Sequence, residues 1–189
     1  MDTNIVCVSG YPAAGKSTAT SYLESQGFPV IVMGEIVREK AQAIEGIDPD
    51  KGEKVGQWAI KHREDRGKNI FARYTIEHAK NLEEETIIID GLRDTTELEH
   101  FQNLGSDVYL FFVTAPLKVR YHRIVERGRD TTEANFSFEE FKVRDSRERD
   151  GGLEALAQQA DETISNVDSE TELYEKVNSL LEEYDLTIE

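Results

Sequence analysis

Residues 10–18 read GYPAAGKST, and Gly10, Gly15, Lys16 and Ser17 fill the pattern G-x-x-x-x-G-K-[ST]. No other stretch constrains the fold as strongly, because this pattern requires a buried strand before it and a helix after it. Both flanks comply. Ile5-Val6-Cys7-Val8 is a continuous apolar run rich in β-branched residues, as in a strand covered on both faces. Ser17 to Gln26 then places Ala19, Tyr22 and Leu23 at helical spacing and stops at Gly27, a C-terminal cap. The two glycines let the chain curl tightly enough for consecutive backbone N–H groups to converge on one anion. The helix N-terminus supplies partial positive charge behind them. The stretch Gly10, Tyr11, Pro12, Ala13, Ala14, Gly15, Lys16, Ser17 and Thr18 is therefore expected to cradle nucleotide phosphates. Lys16 would reach the β- and γ-phosphates, and the Ser17 hydroxyl would complete the coordination of Mg²⁺.

Further apolar runs at Pro29–Met33, Thr86–Ile89, Val108–Val113 and Asp161–Ile164 read as four more strands. Helical patterns fill the gaps at about 35–43, 53–64, 69–81, 95–104, 116–127, 138–149 and 170–184. Strands alternating with helices predict a parallel, doubly wound α/β sheet whose ligands lie beyond the carboxyl ends of the strands. The phosphate loop, Met33-Gly34-Glu35, Asp90-Gly91 and Thr114 all fall at such ends. Gly151-Gly152 is a hinge candidate, and no repeat or linker divides the 189 residues, so one domain is expected.

A single cysteine, Cys7, excludes a disulfide framework within the chain and fits a reducing compartment, so the cytoplasm is expected. The chain shows no apolar stretch near the ~20 residues that span a bilayer and no signal-peptide pattern ahead of the first strand. Its four scattered histidines argue against structural zinc. A net charge of −16 argues against a nucleic-acid surface and raises the possibility of adaptation to high salt, where self-repulsion is screened. Positive charge is nevertheless concentrated: seven of the twelve arginines, Arg120, Arg123, Arg127, Arg129, Arg144, Arg147 and Arg149, fall within thirty residues. Such concentration points to a local anion.

Asp90 closes an apolar strand, where a carboxylate can hold Mg²⁺ opposite Ser17; the alternative is an aspartate capping a turn before glycine. Arg93 could bind an acceptor phosphate. Arg38 could point back across the site or pair with Glu35 or Glu39, and Glu35 could orient the acceptor, act as a base, or only favour the helix start. Arg120, Arg123 and Arg127 share a helix face beside the stripe Leu117, Tyr121, Ile124 and Val125. Like charges on one face oppose each other unless an anion compensates, and arginines closing over a transferring phosphoryl group lower its barrier. For Arg144, Arg147 and Arg149, salt bridges to Asp145, Glu148 and Asp150 compete with a ligand role. Asn166 follows the fifth strand, where a loop could pack against adenine, while Trp58 and Phe71 read as core aromatics.

With GYPAAGKST, MGEIVR, IDGLRD and PLKVRYHRIVERGR in place, the chain resembles the nucleoside-monophosphate-kinase group of P-loop proteins. HREDRGKNIFAR and GLRDTTELEHF also resemble an archaeal kinase-like family related to adenylate kinase and dephospho-CoA kinase. The resemblance implies a three-layer α/β/α P-loop NTPase fold with a five-stranded parallel sheet, a helical acceptor insert at about 34–82 and a lid at about 128–150. It further implies an ATP- and Mg²⁺-dependent kinase acting on a small nucleotide, with Arg38 on the acceptor phosphate and Arg120, Arg123 and Arg127 before and at the lid. The match is incomplete. Glu35 stands where adenylate kinases carry Asp, and Arg93 comes one position early. Val32 or Met33 stands where dephospho-CoA kinases carry an aspartate, although their layout and the region of Asn166 are similar. A dephospho-CoA kinase-like small-molecule kinase, with Glu35 taking over from the missing aspartate, and a nucleotide switch or ATPase acting through a protein partner share the same loop and are the alternatives.

Overall fold

The computed structural model describes residues 3–80, 82, 84–104, 107–128 and 137–188. Five strands, β1 (Asn4–Gly10), β2 (Val30–Val32), β3 (Thr86–Asp90), β4 (Val108–Thr114) and β5 (Glu162–Ser165), form one parallel sheet in the order β2-β3-β1-β4-β5. The helices are α1 (Lys16–Ser25), α2 (Met33–Glu45), α3 (Gly52–Arg66), α4 (Ile70–Ala79), α5 (Thr95–Gln102), α6 (Leu117–Arg127), α7 (Phe138–Glu148), α8 (Glu154–Gln158) and α9 (Glu170–Glu183). A wide turn, Arg149–Leu153, joins α7 to α8 and kinks at Gly152, where φ is 135°.

Alternation along the strands builds a core on each side of the sheet. Ile5 and Cys7 of β1, with Ile87 and Ile89 of β3 and Leu110 and Phe112 of β4, pack against α2 to α5 and α8. Val6, Val8, Ile88, Phe111, Val113 and Ile164 face the other way, against α1 and α9. The result is the expected three-layer α/β/α fold with a five-stranded parallel sheet. Burial on both faces explains why β1 and β3 read as unbroken apolar runs.

Element ends differ modestly from expectation. The second strand stops at Val32 because α2 begins immediately, at Met33, with no connecting residue. Helices α2, α3 and α4 lie between β2 and β3, where an insert was expected. Gly151-Gly152 belongs to the turn between α7 and α8; a Cβ on Gly152 would overlap the Arg93 carbonyl, so glycine permits a close packing contact there.

Parallel pairing aligns the strand ends. Asp90 of β3 stands beside Val8 of β1 and Val32 of β2, and Gly10 beside Val113. Val32, Asp90, Gly10 and Thr114 thus share one edge of the sheet, from which the phosphate loop continues.

Candidate functional site

The loop leaves β1 at Gly10, where any side chain would collide with the next strand: a Cβ would lie 2.5 Å from the Val113 carbonyl oxygen. Tyr11 N–H donates to that same oxygen at 3.2 Å, and Ala14 N–H closes a turn onto Tyr11 O at 3.0 Å. Ala13 and Gly15 then take left-handed conformations, with φ of 59° and 101°. Gly15 is required twice over, because a Cβ there would also overlap the Asn166 side-chain amide. That amide donates to Ala14 O at 2.8 Å, so the turn after β5 braces the loop. Helix α1 starts at Lys16, directing its first-turn amides and its positive dipole end into the loop.

Lys16 is ion-paired with Asp90 Oδ1. Thr20, one turn further along α1, donates to Asp90 Oδ2 at 2.8 Å. Asp90 is only 3% exposed, whereas Ser17 is exposed at the mouth. Hydroxyl and carboxylate oxygens are suitable hard donors for Mg²⁺, which commonly takes one or two protein ligands and completes its shell with phosphates and water. Among the described residues there is no group of three or more His, Cys, Asp or Glu side chains that could hold a metal ion.

The arginines of α6 separate into different environments. Arg120 is 2% exposed and grips Asp145 of α7 at two points, 2.5 and 3.1 Å. It also donates to Ala115 O at 2.9 Å and Pro12 O at 3.1 Å. Such burial and saturation set Arg120 apart from Arg123 and Arg127, with which it shares a helix face; in this structure it supports the loop from inside. Arg123 is half-buried, and its Nη1 lies 3.3 Å from Ala14 O. Arg127 is exposed at the end of α6. Arg129 and the first part of the expected lid lie outside the described residues.

On the other flank, Glu35 and Arg38 are exposed in the first two turns of α2, and among the described residues neither forms an ion pair. The Arg93 side chain is 64% exposed and lies 3.5 Å from Glu148. Its backbone N–H donates at 2.8 Å to Glu97, a fully buried carboxylate that also meets Arg63 of α3 at 3.2 Å. Burial pushes the Glu97 carboxyl up, outweighing the opposite pull of Arg63 and the backbone N–H donors.

Sequence reasoning missed Thr20, Glu97 and the bracing role of Asn166, and gave Asp145 the wrong partner. Thr20 had a detectable signal, since it lies on the same helix side as the loop lysine, four residues on. Arg144 does pair with Glu148, but Arg149 turns to Glu154 rather than Asp150.

A family model described as an AAA domain matches residues 6–150. A UPF0200/UPF0201 protein of Archaeoglobus fulgidus is 35% identical over 96% of this chain, which spans 56% of that relative's length. A UPF0200 protein of Pyrobaculum aerophilum is 33% identical over 94% of this chain and 97% of its own. Among solved structures, TT1252 from Thermus thermophilus superposes with a TM-score of 0.68 at 21% identity, covering 99% of this chain and all of that one. Dephospho-CoA kinase from Campylobacter jejuni superposes at 0.52 with 21% identity, over 97% and 98% of the two chains. A shikimate kinase from Bacteroides thetaiotaomicron gives 0.60 with 14% identity, over 96% and 98%. At these identities the likeness is one of fold, a P-loop kinase-like fold. The sequence relatives say more, and the chain belongs to the archaeal UPF0200 family, built on a P-loop kinase-like AAA domain.

Proposed function

We propose that this chain is an ATP- and Mg²⁺-dependent phosphotransferase that moves the γ-phosphoryl group to a small phosphorylated acceptor, first among them a nucleoside monophosphate. The observation that carries this reading is the convergence of the phosphate loop, Lys16 and the Asp90–Thr20 pair on one sheet edge, with exposed Arg38 and Arg93 on the segments that leave β2 and β3 at that edge and Arg123 and Arg127 on the helix that follows β4. A site built only to hold a nucleotide has no need of cations on all these segments.

In the proposed reaction an oxygen of the acceptor phosphate bonds to the γ-phosphorus as the bond to the ADP oxygen breaks. An acceptor oxygen that is already anionic needs no strong base, which leaves Glu35 to orient the acceptor. Loop amides and Lys16 hold the donor phosphates. Lys16 must then exchange its contact with Asp90 for phosphate oxygens. Ser17 and Asp90 would hold Mg²⁺, which when bound neutralises charge on the donor phosphates. Arg123 and Arg127 face the charge spread over the transferring group, while Arg120 keeps the loop in shape. The segment around 128–150 would act as a lid excluding water, and α2 to α4, within about 34–82, as the acceptor arm of a single domain. A small-molecule kinase of this kind needs neither nucleic acid nor membrane. No helix among the described residues is long and apolar enough to cross a membrane, and the one cysteine is buried and free, which supports a cytoplasmic setting.

The test is ADP release from Mg-ATP, at high and low salt, against AMP, CMP, UMP, GMP, their deoxy forms and dephospho-CoA, with Lys16→Ala as control. Stimulation by one acceptor, matched by a phosphorylated product and lost in the control, upholds the reading. Lys16-dependent turnover that no acceptor stimulates would replace it with an ATPase switch.

A further inference from the structure

Segment 145–154, from the end of α7 through the kinked turn into α8, carries contacts that the proposed chemistry leaves unused. Asp145 holds Arg120, whose guanidinium donates to Pro12 O and lies 5.1 Å from the Tyr11 ring centre. Glu154 accepts the Tyr11 hydroxyl at 3.0 Å and pairs with Arg149 at 2.6 Å. Arg149 in turn lies 4.8 Å from the same ring, which makes a T-shaped contact with Phe112 at 4.9 Å between centroids. Tyr11 is therefore held through its ring and its hydroxyl, and its neighbour Pro12 through its carbonyl.

The same segment reaches the turn that follows Asp90. Gly152 packs against Arg93 O so closely that no side chain fits, and the Glu148 carboxylate lies 3.5 Å from Arg93 Nη1. These contacts matter because the two halves of the phosphate loop differ in support. Gly15 to Ser17 are fixed by α1, whereas Tyr11 to Ala13 lie outside any helix and, apart from segment 145–154 and Arg120, are tied only to β4, by Tyr11 N–H on Val113 O and by the Tyr11–Phe112 ring contact. Amides that bind an anion well must already point at it before the anion arrives.

We infer that segment 145–154 positions the phosphate loop and locks it to the 91–94 turn, with Asp145 and Glu154 as its positioning residues. Neither touches the nucleotide; Asp145 acts through Arg120, and Glu154 through Tyr11. The inference rests on the loop binding a nucleotide, as in the reading above, and not on transfer to an acceptor.

The experiment compares Tyr11→Phe, Glu154→Met, their double variant, and Asp150→Asn, an exposed acid on the same segment, as control. Three quantities are read: the Kd for a fluorescent ATP analogue with Mg²⁺, the thermal unfolding midpoint, and amide hydrogen exchange in peptides spanning 9–17 and 89–96. Loss of one hydrogen bond predicts an affinity weakened by about 3- to 10-fold in each single variant. The double variant should be no weaker than the poorer single, because both remove the same contact. Exchange should quicken in both peptides, with the midpoint lowered by no more than about 4 °C, while Asp150→Asn behaves as wild type. Glu154 is partly exposed, so its replacement leaves folding intact; Asp145→Asn is an added arm that must weaken affinity if it folds. Unchanged affinity, fully additive effects, or faster exchange in the 9–17 peptide alone would overturn the inference. If affinity and exchange respond as expected while no acceptor yields product, the kinase reading fails and the positioning role stands.

Discussion

Lys16, the first residue of α1, is ion-paired with Asp90, the last residue of β3. A nucleotide must therefore draw the ammonium group away from a buried carboxylate that already holds it near the loop. The pairing keeps Lys16 extended toward the site and keeps Asp90 compensated until phosphate arrives.

Lys16→Met is accordingly expected to lower kcat/KM for ATP turnover by about 10²- to 10³-fold, the cost of losing one aimed donor at developing charge. ADP release measures it, with circular dichroism confirming the fold.

Thr20 is the third member of the cluster. Replacing it with Val keeps the volume and removes the donor to Asp90 Oδ2, an effect of about 1.5–3 kcal/mol for a bond to a charged group. Urea unfolding should show that loss, and Thr20→Ser should restore most of it.

Two arginines three residues apart should fail in opposite ways. Arg120→Met strands the buried Asp145 carboxylate and is expected to cost about 3–5 kcal/mol of stability. Arg123→Met should leave unfolding within about 0.5 kcal/mol of wild type and lower kcat by about 10²-fold or more. Parallel denaturation and turnover measurements separate the two; equal stability loss in both would end the distinction.

Glu97 gives a pH signature. Burial raises its carboxyl in the folded protein above its ordinary 4.5. As pH climbs from that ordinary value to the raised one, the unfolded chain has already released a proton that the folded protein still holds. The unfolded state then binds fewer protons, so this group makes stability fall through the window and level off above it. Glu97→Gln lacks the titration. The stability of wild type minus that of the variant, from urea unfolding between about pH 4 and 8, should decline and then flatten.

The fold was legible because its signals are local. Runs such as Thr86–Ile89 and the glycines at 10, 15 and 128 mark strands, loop and helix ends within a few residues of themselves. The phosphate loop was legible for the same reason. What the sequence hid depends on residues far apart along the chain: Arg120 meets Asp145 across 25 positions, Tyr11 meets Glu154 across 143, and Asn166 meets Ala14 across 152. Helical spacing placed Arg120, Arg123 and Arg127 on one face but could not show that the first points inward, since a buried partner on another helix decides that. Nothing in the residues flanking Glu97 marks it as buried, and its ion-pair partner Arg63 lies 34 positions away on another helix.

The middle strand offers a reporter that needs no assay of activity. Cys7 is the only thiol in the chain, lies fully buried in β1, and is pushed by its surroundings toward the unreactive protonated form. A thiol reagent can reach it only when the centre of the sheet opens, so the labelling rate reads how often that happens. The same strand ends in Gly10 at the loop, and a ligand that favours the closed state slows the opening. Retardation of labelling by ATP, ADP or any trial acceptor would therefore rank their affinities on the unmodified protein, whatever reaction it performs.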